Sequence, residues 1–217
     1  METTQLIWVV GGVAVIGVAA TFFLSRKRRG YQLARLSVAL RLRPEHDTSS
    51  LQTSGLLDTA LLESASARCR NILRGEVRGA EVLVFDYVVK GGGRWHTPDS
   101  VAFFRLKDKQ LPPFELRPRI SSKDDRGFEF DSHPHFNEVY AVTGGDESLL
   151  RDLFKESLLE YFERAENQSW AIASKGDWLA VTFWPLGDRE HILTPKEVMG
   201  FVEDAKELCF LFSRQIN

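Results

Sequence analysis

The apolar residues fall into several successive patterns along the chain. Leu6 to Leu24, "LIWVVGGVAVIGVAATFFL", is nineteen residues without a charge. As a helix it extends roughly 28 Å, close to the thickness of a bilayer's hydrocarbon core, and so predicts a transmembrane span. Tyr31 to Arg43 sets Leu33, Leu36 and Leu40 at helical spacing among arginines, which suits a helix lying at the membrane surface, although its last residues, "LRLR", alternate as a strand does. Pro44 to Ser54 is polar and turn-rich and reads as a linker. Leu57, Leu61, Leu62 and Ala65 then suggest a short helix within Leu56 to Leu73.

Beyond Gly79 the period changes. "AEVLVFDYVVK" and "SVAFFRLKD" are β-branched and aromatic runs separated by Gly91, Gly92 and Gly93, which predicts two strands joined by a long loop. "LPPFELRPR" is extended but carries three prolines, so it is expected at a sheet edge, where missing backbone donors do no harm. Another extended piece is expected from Phe128 and Phe130 to the histidines beyond them, and a strand in "EVYAVTGG". "DESLLRDLFKESLLEYFER" reads as one amphipathic helix whose apolar face includes Leu149, Leu150, Leu153, Phe154, Leu158 and Phe162. "SWAIASKGDWLAVTFWPL" is a hairpin turning at Lys175 to Asp177. Its second strand is apolar on both faces and therefore expected in the middle of a sheet. The last helix opens with Thr194 as N-cap, Pro195 in the first turn and Glu197 completing a capping box.

These elements predict an α+β chain: an N-terminal transmembrane helix, then an antiparallel sheet of about six strands with two C-terminal amphipathic helices. The expected divisions are 1–25 for the tail and span, 26–54 for a basic collar and linker, and 55–217 for the folded domain.

Charge adds the topology. Residues 26–43 hold seven bases and no acid, whereas from Pro44 onward 21 Lys and Arg face 29 Asp and Glu, a net charge of −8. With "SRKRR" directly after the span and "METTQ" before it, the positive-inside rule places the domain in the cytoplasm and the N-terminus outside, in a single-pass protein of the plasma (inner) membrane. The absence of a basic residue before the span argues against a cleaved signal peptide. Arg26, Lys27, Arg28 and Arg29 are placed to contact anionic lipid head groups. An acidic body disfavours nucleic acid as a partner. The two cysteines, Cys69 and Cys209, are far apart and outside any CxxC, and Cys209 falls in the apolar stripe of the last helix, as a buried thiol would.

One short stretch raises the question of a metal. In "FDSHPHF", Asp131, His133 and His135 alternate, and on an extended segment all three would point to one side, as a facial metal site requires. Further ligands would have to come from His96, Asp99 or His191. The competing reading has Asp131 and His133 shaping a turn ahead of Phe136, with His135 in solvent. Pro134 steers His133 away from helix. Asp86, inside an apolar strand, is expected to pair with a cation such as Arg105. "GGGRWHT" lacks the surroundings of a phosphate-binding loop, and the chain contains no GxSxG elbow.

The stretches "RCRNILRGEVRGAEVLVFDY", "LPPFELRP" and "HPHFNEVYAVTGGDESLLRDLF" resemble an uncharacterised group of bacterial proteins with one N-terminal transmembrane helix and a cytoplasmic domain of unknown function. The resemblance covers most of residues 68–212. It implies the same single-pass architecture and carries no reaction with it. The leading expectation is a membrane-tethered cytoplasmic interaction or scaffold module without catalytic activity or cofactor, whose partners are the bilayer and a membrane-associated protein. The alternative is a membrane-anchored metal-dependent hydrolase using Asp131, His133 and His135.

Overall fold

The structure, a computed structural model, describes residues 37–59, 61–62, 68–77, 79–91, 94–95, 99–119, 127–164, 169–184 and 193–216. The expected span at 6–24 and the basic run at 26–29 lie outside the described residues. Among the described residues no helix is long and apolar enough to cross a membrane.

The domain is α+β. Its strands are β1 (Arg43–Pro44), β2 (Arg68–Val77), β3 (Ala80–Val88), β4 (Lys90–Gly91), β5 (Arg94–Trp95), β6 (Asp99–Arg105), β7 (Leu111–Pro118), β8 (Tyr140–Gly144), β9 (Trp170–Gly176) and β10 (Trp178–Phe183). The helices are α1 (Ser49–Thr53), α2 (Pro134–Val139), α3 (Glu147–Leu153), α4 (Glu156–Glu163) and α5 (Pro195–Gln215). Among the described residues eight strands form one antiparallel sheet in the order β1-β2-β3-β6-β10-β9-β7-β8, and β4 and β5 pair separately in the β3–β6 connection.

Two tight hairpins set the register. Val77 faces Ala80 across the first, where Gly79 takes φ +83°, and Lys175 faces Trp178 across the second, where Gly176 takes φ +63°. Both angles lie in the left-handed region that favours glycine. As expected from its two apolar faces, β10 is central, between β6 and β9. Leu179 and Val181 join the core under α3, α4 and α5 with Val82, Val84, Phe104, Ile172, Phe201 and Leu208. Trp178 and Ala180 join a second core on the opposite face, where Leu51, Leu56, Leu61 and Leu62 cover Leu83, Phe85, Tyr87 and Phe103.

Several expectations change. The sheet has eight strands rather than about six, because β1 and β2 were not foreseen. Residues 68–73, the end of the stretch expected to hold a short helix, belong to β2 and pair along β3; among the described residues of that stretch, Leu56–Asp58 is helical, as a 3-10 turn. Part of the expected collar and linker is packed on the sheet: Leu42 and Leu51 are buried, and Pro44 pairs with Leu73.

Strand β7, expected at an edge because of its prolines, lies between β9 and β8. The missing N–H groups are accommodated by a register irregularity between Leu111 and Phe114. There the Ser174 hydroxyl donates to the Pro112 carbonyl (2.5 Å) and accepts from the Phe114 N–H (3.1 Å). The expected single helix over 146–164 is two. Phe154 leaves helical geometry at the end of α3, and Lys155 caps α4. The break sends Phe154 into a run of rings, at 5.1 Å from Phe114, 5.7 Å from Phe130 and 5.8 Å from Phe212. It also leaves Leu149, assigned to the buried face, half exposed. Helix α5 follows expectation: Thr194 N–H donates to Glu197 Oε2 (2.6 Å), Glu197 N–H donates to Thr194 Oγ1 (3.4 Å), and Cys209 is buried.

Ser174→Ala removes the hydroxyl that serves both main-chain groups at the proline irregularity, and should lower stability by about 1–3 kcal/mol in denaturant unfolding of the detergent-solubilised chain. Burial pushes the thiols of Cys69 and Cys209 up to about 11 and about 12, and the phenol of Tyr87, which donates to the Leu62 carbonyl, up to about 12; burial raises Tyr140 as well. The neutral forms are favoured in the fold. Their stabilisation is therefore complete below the ordinary values of 9.0 and 10.0 and is lost as pH climbs toward 12. A thermal midpoint flat up to pH 9 and falling steadily above it is the expected profile.

Candidate functional site

The segment containing Asp131, His133 and His135 is not extended. Phe128 makes one bridge to Val142 of β8, after which the chain turns at Asp131 and Ser132 and enters α2 at Pro134. Asn137 holds the turn closed, with its Oδ1 accepting from the Phe130 N–H (3.0 Å) and its Nδ2 donating to the Phe130 carbonyl (3.0 Å). The His133 N–H donates to the same carbonyl at 2.8 Å. Proline in the first helical turn, with φ already set for helix, explains why the helix starts here. The period-2 argument for three side chains on one face fails for that reason.

The consequences differ for each residue. His133, the residue before the helix, is turned inward and buried, and its Nδ1 lies 2.9 Å from Ser132 Oγ. His135, one residue into the helix, is exposed, with Nδ1 at 3.6 Å from Glu138 Oε2. Asp131 is exposed. Asp99 is buried in β6 opposite Tyr87, while His96 and His191 lie outside the described residues. Among the described residues no group of three or more His, Cys, Asp or Glu side chains could hold a metal ion.

The turn does line an open cleft of about 510 Å³, which is the candidate site. Its apolar floor is Phe130, Phe154 and Leu159, and its polar rim is Asp131, His133, Arg151 and Glu156. Phe130 packs edge-on against Phe136 at 5.4 Å, so the floor belongs to the core. Arg151 is held by Glu147, with Nε and Nη2 at 2.9 and 2.6 Å from Glu147 Oε1, and its guanidinium lies 5.8 Å from the Phe130 ring centroid. The rim thus presents both signs of charge over an apolar, partly aromatic floor.

A Ser–His contact alone does not make an acyl-transfer centre, since the base needs a third group to orient it. Among the described residues neither ring nitrogen of His133 meets a carboxylate within hydrogen-bond distance. Arg151 and Glu156 were not singled out from sequence. Arg151 in α3 and Glu156 at the start of α4 lie on either side of the break at Phe154, and both line the cleft.

Asp86 is buried, as expected, but not with Arg105. It faces Arg70 on β2 and Ser100 on β6, and accepts from Asn71 Nδ2 at 2.8 Å. Asn71 takes φ +52° at the irregularity of β2, which brings its amide to the carboxylate. Arg105 is opposite Glu81 at the other end of the β3–β6 pair, and its Nε donates to Asp177 Oδ2 at 2.6 Å. Asp86 lies five residue steps along the strand from Glu81, roughly 17 Å, so its pair with Arg105 cannot form.

No family model matches the chain, and no curated protein matches it. Among solved structures the fold is similar to the crystal structure of the mycobacterial trehalose monomycolate transport factor A, TtfA, with a TM-score of 0.53 at 13% identity, covering 86% of this chain and 90% of that one. At that identity the likeness is one of fold.

Asp86→Ala should destabilise the domain by about 1–3 kcal/mol, because the Asn71 amide loses its acceptor on a buried strand. An unfolding midpoint equal to that of the unaltered chain would overturn the structural role given to this carboxylate.

Proposed function

We propose that this protein is a membrane-tethered, non-catalytic interaction module, held at the cytoplasmic face by residues 6–24 and acting on a membrane-associated protein partner. The observation that carries the reading is the placement of a nineteen-residue uncharged run and the basic "SRKRR" immediately before a domain whose packing begins by Leu42. From Leu24 to Leu42 the chain reaches at most about 60 Å when fully extended, so the domain stays within tens of ångströms of the bilayer. Confinement of this kind raises the effective concentration toward other membrane-bound proteins without any new contact.

Two further observations support it. The cleft beside His133 offers an aromatic floor and a mixed-charge rim suited to holding a ligand. The fold's neighbour is named as a transport factor, a role that fits a non-catalytic component of a membrane process.

In-cell photocrosslinking from the domain, compared with a chain lacking residues 1–30, checks the reading. The expected outcome is one reproducible protein partner, captured with the span present and lost without it. Capture of lipid alone, or of the same protein in both cases, would set the tethered-module reading aside.

A further inference from the structure

We propose that a second concavity, between α5 and the β2–β3 turn, is a docking slot for an acidic segment of the partner protein that inserts one apolar side chain. The inference rests on the interaction-module reading and names the chemistry of its partner. The slot has a volume of about 140 Å³ and a floor built from Phe104, Leu106 and Cys209, with Ala80 on one side. A cavity of that size, about 150 Å³, accommodates a benzene ring in a protein interior, so the slot fits a single phenylalanine or leucine side chain.

Charge around the slot selects the segment. Lys107, Lys109 and Lys206 all line it, and among the described residues no acidic one does, although the chain from Pro44 onward is net acidic. Lys109 Nζ donates to the carbonyls of Ser213 (2.7 Å) and Ile216 (2.6 Å), which orient the ammonium at the end of α5 without cancelling its charge. Lys206 is braced by Glu203 (2.6 Å), and Lys107 is only loosely paired with Glu76 (3.8 Å). Phe210 forms the lip. It is 39% exposed and held by Arg214, whose guanidinium lies 4.1 Å from the ring centroid. An aromatic lip, an apolar-floored pocket of single-residue size and a lysine rim are the parts of an interface hot spot. They complement an apolar anchor flanked by carboxylates.

The test uses the full chain in phosphatidylcholine nanodiscs and a fluorescein-labelled pentapeptide with a central phenylalanine between paired glutamates, read by anisotropy. Saturable binding is expected. Replacing the central phenylalanine by alanine should weaken it about tenfold or more, and Lys107→Glu or a rise from about 0.1 to about 0.5 M salt should weaken it several-fold. Ala80→Leu, which fills the slot from β3, should abolish it. Equal affinity for the phenylalanine and alanine peptides overturns the slot without involving any variant of the protein. Octanoate binding with no peptide binding also overturns it, by assigning the slot to an anionic amphiphile. Absence of peptide binding while an anchor-dependent partner is still crosslinked would reject the slot and leave the tethered-module reading standing.

Discussion

Trp178, Leu179, Ala180 and Val181 are consecutive, buried and shared between two cores, so the middle of the sheet has no face that can be left to water. Because successive side chains of a strand point to opposite faces, this one tetrapeptide obliges the fold to cover the sheet twice. The helices after β8 cover one face. The other is closed by Leu51, Leu56, Leu61 and Leu62, from a segment with many polar residues between its leucines. Strands β3 and β6 share the constraint, with Val82 and Phe104 paired toward the helices and Leu83 and Phe103 paired away from them.

The helical layer is held by rings. Phe114, Phe130, Phe136, Phe154, Phe162 and Phe212 connect α2, α3, α4, α5 and β7 through pairs separated by 5.1 to 6.4 Å. Such contacts prefer offset or edge-on geometry and so fix orientation as well as burying area. Phe154 is the junction, and the helix breaks where this residue must turn inward. Phe154 also lines the cleft next to His133, so the candidate site shares a wall with the core.

Some of the chemistry was readable from residue type and some was not. Asp86 is buried with polar company, but its partner depends on register, which pairs Arg105 with Glu81 and leaves Asp86 to Asn71 and Ser100. The alternation of Asp131, His133 and His135 was real in sequence and meaningless in space, because Pro134 begins a helix between the two histidines. The lysines of the second slot stand at positions 107, 109 and 206, and nothing local joins the first two to the third.

What the sequence determined by itself was the information carried over a few residues: the uncharged run at 6–24 and its flanking charges, the hairpin turn at Gly176, the capping box at Thr194, the two-faced strand β10 and the α+β class. These rest on local propensity and on side-chain period, which neighbouring residues set between them. Only the tertiary structure decided that residues 68–77 pair as a strand, that proline-bearing β7 lies inside the sheet, that the helix divides at Phe154 and that three distant lysines share a rim. In each case the deciding free energy comes from contacts between segments far apart in sequence. Ladder pairing with β3, a hydroxyl supplied by β9 and the packing of Phe154 among rings from four other segments outweigh local preferences worth only tenths of a kcal/mol per residue.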